Sequence, residues 1–72
     1  MYHMDLSKVI KERRAELRIS QDDLADIAGV GLATVKDIER GQGNPAISTI
    51  EKLFVVLGLE LSANIKQTIV KL

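Results

Sequence analysis

Residues 21–28 and 32–40 each carry a helical pattern, and only Gly29-Val30-Gly31 separates them. Two helices joined by so tight a turn must cross each other at once, which fixes most of what the chain can fold into. The start of the first is marked by Ser20, followed by Asp22 and Asp23. A hydroxyl accepts from free backbone N–H groups, and acids suit the positive end of the helix dipole. Ala25 and Ala28 are small enough to let the helices approach, and Gly29 supplies the left-handed backbone conformation that ends the first one. Leu24, Ile27 and Ala28 form the expected buried face of this helix, and Val35 and Ile38 that of the next. Leu24, Val30, Val35 and Ile38 are expected to fill the space between them.

The flanks add two more helices. Leu6, Val9, Ile10 and Leu17 make a helical stripe over residues 6–18, with Asp5 or Ser7 as its cap. Gly41-Gln42-Gly43-Asn44-Pro45 is a loop. Ser48 with Glu51 has the spacing of a capping box and predicts the start of a fourth helix. Its stripe is Ile47, Ile50, Leu53, Phe54 and Leu57, and Gly58 stops it. The period then changes: Leu59, Leu61, Ala63 and Ile65 alternate with polar residues, which predicts a strand over residues 59–66. A lone strand leaves its backbone groups unpaired, so this one is expected to pair with its copy across a dimer axis. With 72 residues in one domain, a partner chain would also enlarge a marginal core.

Composition excludes several classes of function. There is no Cys and one His, His3, so disulfides and thiolate metal sites are excluded and neither a cofactor nor a structural metal is expected. Tyr2 and Phe54 are the only aromatic residues, too few for a single-strand stacking platform. No nucleophile and base converge, so no enzyme is expected. No apolar run is long enough to span a membrane. Nor does Met1-Tyr2-His3-Met4-Asp5 begin like a secretion signal, which fits a cytoplasmic location. Ten basic residues balance ten acidic ones. Lys8, Lys11, Arg13, Arg14 and Arg18 nevertheless crowd one segment and Asp22, Asp23 and Asp26 the next, so a neutral chain can still present a basic face.

The segment Ile19–Gly41 resembles the Cro/cI-type (XRE) helix-turn-helix family. That family carries Ser/Thr-Gln-x-x-Leu-Ala-x-x-Ala-Gly-Val and then Thr-Ile-x-x-Ile-Glu-x-Gly. Here the matching residues are Ser20, Gln21, Leu24, Ala25, Ala28, Gly29, Val30, Thr34, Ile38, Glu39 and Gly41, with Val35 in place of Ile. The resemblance extends over residues 6–58. It implies an all-α, lambda-repressor-like domain of four helices that binds double-stranded DNA, with the C-terminal strand as an addition.

The resemblance also implies roles for residues. Gly31, Leu32, Ala33, Thr34, Lys36 and Asp37 stand where relatives touch bases or the adjoining backbone. Gln21 stands where relatives bind phosphate, and Arg40, Gln42 and Asn44 are further phosphate candidates. Arg14 and Glu39 match a partly buried ion pair of relatives, read here as structural. Many relatives have polar residues where this chain has Gly31, Leu32 and Ala33, which shifts the expected readout toward apolar contact and DNA shape. The expected function is a dimeric repressor on a palindromic operator. Gly58-Leu59-Glu60-Leu61-Ser62 resembles HipB-type antitoxins, which would add a HipA-like kinase toxin as a partner. The rival expectation is a protein-interaction adaptor that keeps the fold without binding DNA, favoured by the zero net charge.

Overall fold

The computed structural model describes residues 5–61, and among them the chain is all-α. Four helices occur there: α1 Leu6–Leu17, α2 Gln21–Ala28, α3 Leu32–Glu39 and α4 Ile47–Leu57. Helix α2 packs on α3 and α4, and α1 packs on the same two. The core lies where they meet. Ile10, Leu24, Val35, Leu53 and Leu57 are fully buried, and Ala25, Ile38, Ile50 and Phe54 complete the cluster.

The helix ends follow from local chemistry. Asp5 caps α1 by accepting from the backbone N–H of Lys8, and Ser20 caps α2 by accepting from that of Asp23. Hydrogen bonds from Ser7 and from the Lys8 backbone hold the Asp5 carboxyl below its ordinary value. Gly29 ends α2 at φ 71°, and the Val30 N–H bonds back to the Ala25 carbonyl at 2.9 Å. At the end of α1 the left-handed position is taken by a non-glycine, Arg18, at φ 58° and ψ 42°. Its side chain keeps the strain that a glycine would avoid.

Three expectations, at Ile27, Ser48 and Ile47, need correction. Ile27 was assigned to the buried face of α2 but is 66% exposed; the inward stripe is Leu24, Ala25 and Ala28, and Ile27 lies off it. Ser48 does not cap α4. The helix begins two residues earlier because Ala46, extended after Pro45, already offers its carbonyl to Thr49 and Ile50, so Ser48 lies within the first turn. Ile47 then falls at the first helical position and is 65% exposed, not part of the inward stripe. As for the tail, no strand occurs among the described residues. Leu59 and Leu61 follow α4 in irregular backbone, with Leu59 packed against the core, whereas Ala63 and Ile65 lie outside the described residues.

Two side chains of α1 reach across the fold. The Arg13 Nε donates to the Leu57 carbonyl at 2.8 Å, satisfying an orphan acceptor at the end of α4. Arg14 forms a forked pair with Glu39 of α3: Nε to Oε2 at 2.7 Å and Nη2 to Oε1 at 2.9 Å. Arg14 Nη1 also donates to the Ile19 carbonyl at 2.9 Å, and Gln21 Nε2 donates to Glu39 Oε1 at 3.1 Å. Glu39 is only 3% exposed. Burial pushes its carboxyl up, but the hydrogen bonds from Arg14 and Gln21 and the charges of Arg14 and Lys11 outweigh that and hold it below its ordinary value of 4.5.

Because the folded carboxyl is the stronger acid, its contribution to stability is complete above pH 4.5 and is lost as pH falls through the lowered folded value. Urea titrations between pH 3 and pH 7 should therefore show a smaller acid loss for Glu39→Gln than for the parent. Breaking the pair from one side leaves a buried charge alone, so Arg14→Met should cost about 3 kcal/mol. The double substitution Arg14→Met with Glu39→Met should recover most of that, which a double-mutant cycle measures. Arg18→Gly removes the left-handed strain and should raise stability by about 1 kcal/mol in the same titrations.

Candidate nucleic-acid interface

Helix α3 has a locked side and an open side. Val35, Ile38 and Glu39 are buried against α1 and α2. Ala33, Lys36 and Arg40 are exposed and Asp37 is half-exposed; spaced three, four and seven residues apart, these four share the opposite face. Leu32 and Thr34 flank this stripe and are half-buried, with Leu32 packed on the core. Gly31 is the exposed N-cap of α3 and forms no side-chain cap. The open face therefore presents one methyl group, two cations and one anion. It is narrower than the six positions from 31 to 37 read from the sequence, because Leu32 turns partly inward.

The anion is partnered. Arg40 Nη2 donates to Asp37 Oδ1 at 2.6 Å across one helical turn. Beyond Arg40, Gly41 at φ 74° and Gly43 at φ 81° fold the loop back along α3. The Gln42 N–H donates to the Asp37 carbonyl at 2.8 Å. The result is a shallow depression lined by Thr34, Asp37, Gln42, Gly43, Asn44 and Pro45. Three expected phosphate candidates, Arg40, Gln42 and Asn44, thus lie beside the open face of α3, and all three are exposed.

Gln21 sits apart from them, half-buried at the first position of α2. Its amide nitrogen is held by Glu39. With Ser20 serving the Asp23 N–H, the Gln21 and Asp22 N–H groups remain open at this end, as in anion-binding helix starts. Asp22 and Asp23 are exposed beside them and weaken the attraction for phosphate.

Two features of the site go beyond the sequence reading: the Asp37–Arg40 pair and the Gln21–Glu39 bond. The Asp37–Arg40 pair had a legible signal in its three-residue spacing. The Gln21–Glu39 bond had none, since it spans 18 positions and depends on how α2 meets α3. Among the described residues no group of three metal-ligating side chains converges, and no helix is long and apolar enough to cross a membrane.

Comparison with known proteins gives a consistent family. The immunity repressor protein of Bacillus phage phi105 is 35% identical over 69 residues, covering 94% of this chain and 48% of that protein. The HTH-type transcriptional regulator PuuR of Escherichia coli is 38% identical over 55 residues, 76% of this chain and 30% of its own length. The uncharacterized HTH-type transcriptional regulator y4mF of Sinorhizobium fredii is 32% identical over 57 residues, 79% of this chain and 75% of its own length. The chain spans about half or less of the first two of these relatives. No solved structure shows a significant match. A family model described as helix-turn-helix matches residues 10–64, from within α1 to beyond α4. The chain belongs to the helix-turn-helix family, of the Cro/cI (XRE) type.

Proposed function

We propose that this chain binds double-stranded DNA by laying α3 in the major groove, and that it regulates transcription by occupying an operator. The observation that carries the reading is the open face of α3. Ala33, Lys36, Asp37 and Arg40 project from a short helix whose other side is fixed by buried Val35, Ile38 and Glu39. A helix held in this way can enter a groove without reorganising, and the major groove is wide enough to take it. The names of the relatives, a phage immunity repressor and transcriptional regulators, support the same reading.

Base contacts are assigned to Ala33, Lys36 and Asp37, with Gly31, Leu32 and Thr34 on the flanks. Phosphate contacts are assigned to Arg40, Gln42, Asn44 and the start of α2 at Gln21. Repression follows from occupancy that blocks the polymerase. The chain acts as a dimer on a palindromic site, with its two α3 helices about one DNA turn, roughly 34–36 Å, apart. Support for the dimer comes from the small core and from exposed apolar residues near the end of α4, Val55 and Leu61. A HipA-like kinase toxin joins the proposed partners only through the resemblance of Gly58–Ser62 to antitoxins; such a kinase copurifying from the native host would establish it.

The test is binding to sheared genomic DNA of the source organism at two salt concentrations, followed by sequencing of the retained fragments. One palindromic site should be enriched, with affinity falling steeply as salt rises. Lys36→Ala should weaken binding to that site by about 1–3 kcal/mol if it meets a base edge, with the melting temperature unchanged because the side chain is exposed. A folded, dimeric protein that enriches no fragment would sink the DNA reading and favour the adaptor.

A further inference from the structure

We infer that Asp37, steadied by Arg40, is the specificity-determining acid of α3 and selects a cytosine at one fixed position of each half-site. The inference rests on the DNA-binding reading above and deepens it. An acid on a DNA-facing helix is a liability, since phosphates repel it, so its presence on the open face calls for a compensating cation and a donor to meet. Arg40 supplies the cation. Arg40 Nη2 lies 2.6 Å from Asp37 Oδ1, and both side chains are exposed, at 61% and 46%. The pair uses one carboxylate oxygen and leaves Oδ2 unengaged among the described residues.

The position of Asp37 is fixed as well as balanced. Its carbonyl accepts from the N–H groups of Arg40 at 3.1 Å and Gln42 at 2.8 Å, which ties the end of α3 to the loop. Gly43 lies alongside, where a Cβ would make an ordinary contact at 3.8 Å with the Asp37 Cβ. The backbone of Asp37 is therefore held, and Arg40 orients the carboxylate.

The choice of base follows from what each base shows in the major groove. On the open stripe Ala33 offers a methyl group and Lys36 only donors, so Asp37 is its acceptor. Guanine and thymine present acceptors that a carboxylate would face unfavourably. Adenine N6 is flanked by acceptors on both sides, its own N7 and the thymine O4. Cytosine N4 is flanked on one side only, by O6 of the paired guanine, so Oδ2 meets cytosine with least repulsion. Arg40 is a positioning residue here, and its remaining N–H groups stay available to the backbone phosphate.

The test is selection from a randomised duplex pool with the full chain, comparing the parent with Asp37→Ala, Asp37→Asn and Arg40→Ala, each first checked by thermal melting. The parent should prefer cytosine at one symmetric position of the selected site. Asp37→Ala should lose that preference by about tenfold while the other positions keep theirs. Asp37→Asn should shift the same position toward adenine, whose N6 and N7 match an amide. Arg40→Ala should weaken the cytosine preference without moving it. A folded Asp37→Ala variant with the parent's preferences at every position would overturn the inference and leave the DNA reading standing. A parent that selects no sequence would overturn both.

Discussion

The carboxylate of Glu39 is the point on which the arrangement of the helices depends. It is buried at the end of α3 and accepts from Arg14 on α1 and Gln21 at the start of α2. Three helices thus meet at one charged group. An isolated buried carboxylate would be strongly destabilising, so the fold keeps this one only with its partners in place. Arg14 suits the task because its planar fork gives two parallel bonds to one carboxylate and a third to the Ile19 carbonyl. The apolar core alone would tolerate some sliding of α3 over α1. A forked pair does not, and the angle of α3 determines what its outer face can touch.

That outer face is made by the same constraint. Once Val35, Ile38 and Glu39 are committed inward, helical geometry leaves Ala33, Lys36, Asp37 and Arg40 outward. Stability and the proposed recognition therefore draw on separate sides of one eight-residue helix. The loop through Gly41 and Gly43 joins the two, since it anchors to the Asp37 carbonyl and carries Gln42 and Asn44 to the same side. The proposed interface is consequently short, continuous and attached to the core at both ends of α3.

Much of this is legible in the sequence, and the reason lies in the range of the forces. Caps and turns are local, so Ser20 and Gly29 announce the ends of α2, and Asp5 was one of two candidates at the start of α1. The capping-box pattern at Ser48 misled because two residues of the right type and spacing do not fix where a helix begins. Pro45 and Ala46 did that, by turning the chain early. Ile27 misled because periodicity ranks apolar residues as inward without knowing the direction of the neighbours. A helix of eight residues has room for a narrow stripe, and Leu24, Ala25 and Ala28 had already filled it. Leu32 departs in the opposite direction: expected on the outer face, it is half-buried against the core and narrows the candidate interface.

By itself the sequence determined the helix pairing, the tight turn and the family to which the turn belongs, because each rests on residues close together along the chain. It also named Arg14 and Glu39, Lys36 and Asp37 as residues to watch. Only the tertiary structure decided what those residues share. It placed Gln21 on the same carboxylate as Arg14, set Arg13 against the last turn of α4, and joined Arg40 to Asp37 beside the loop. Such contacts depend on where helices cross and which way side chains turn at the crossing. A one-dimensional pattern records spacing along each helix and holds no information about the angle between two of them.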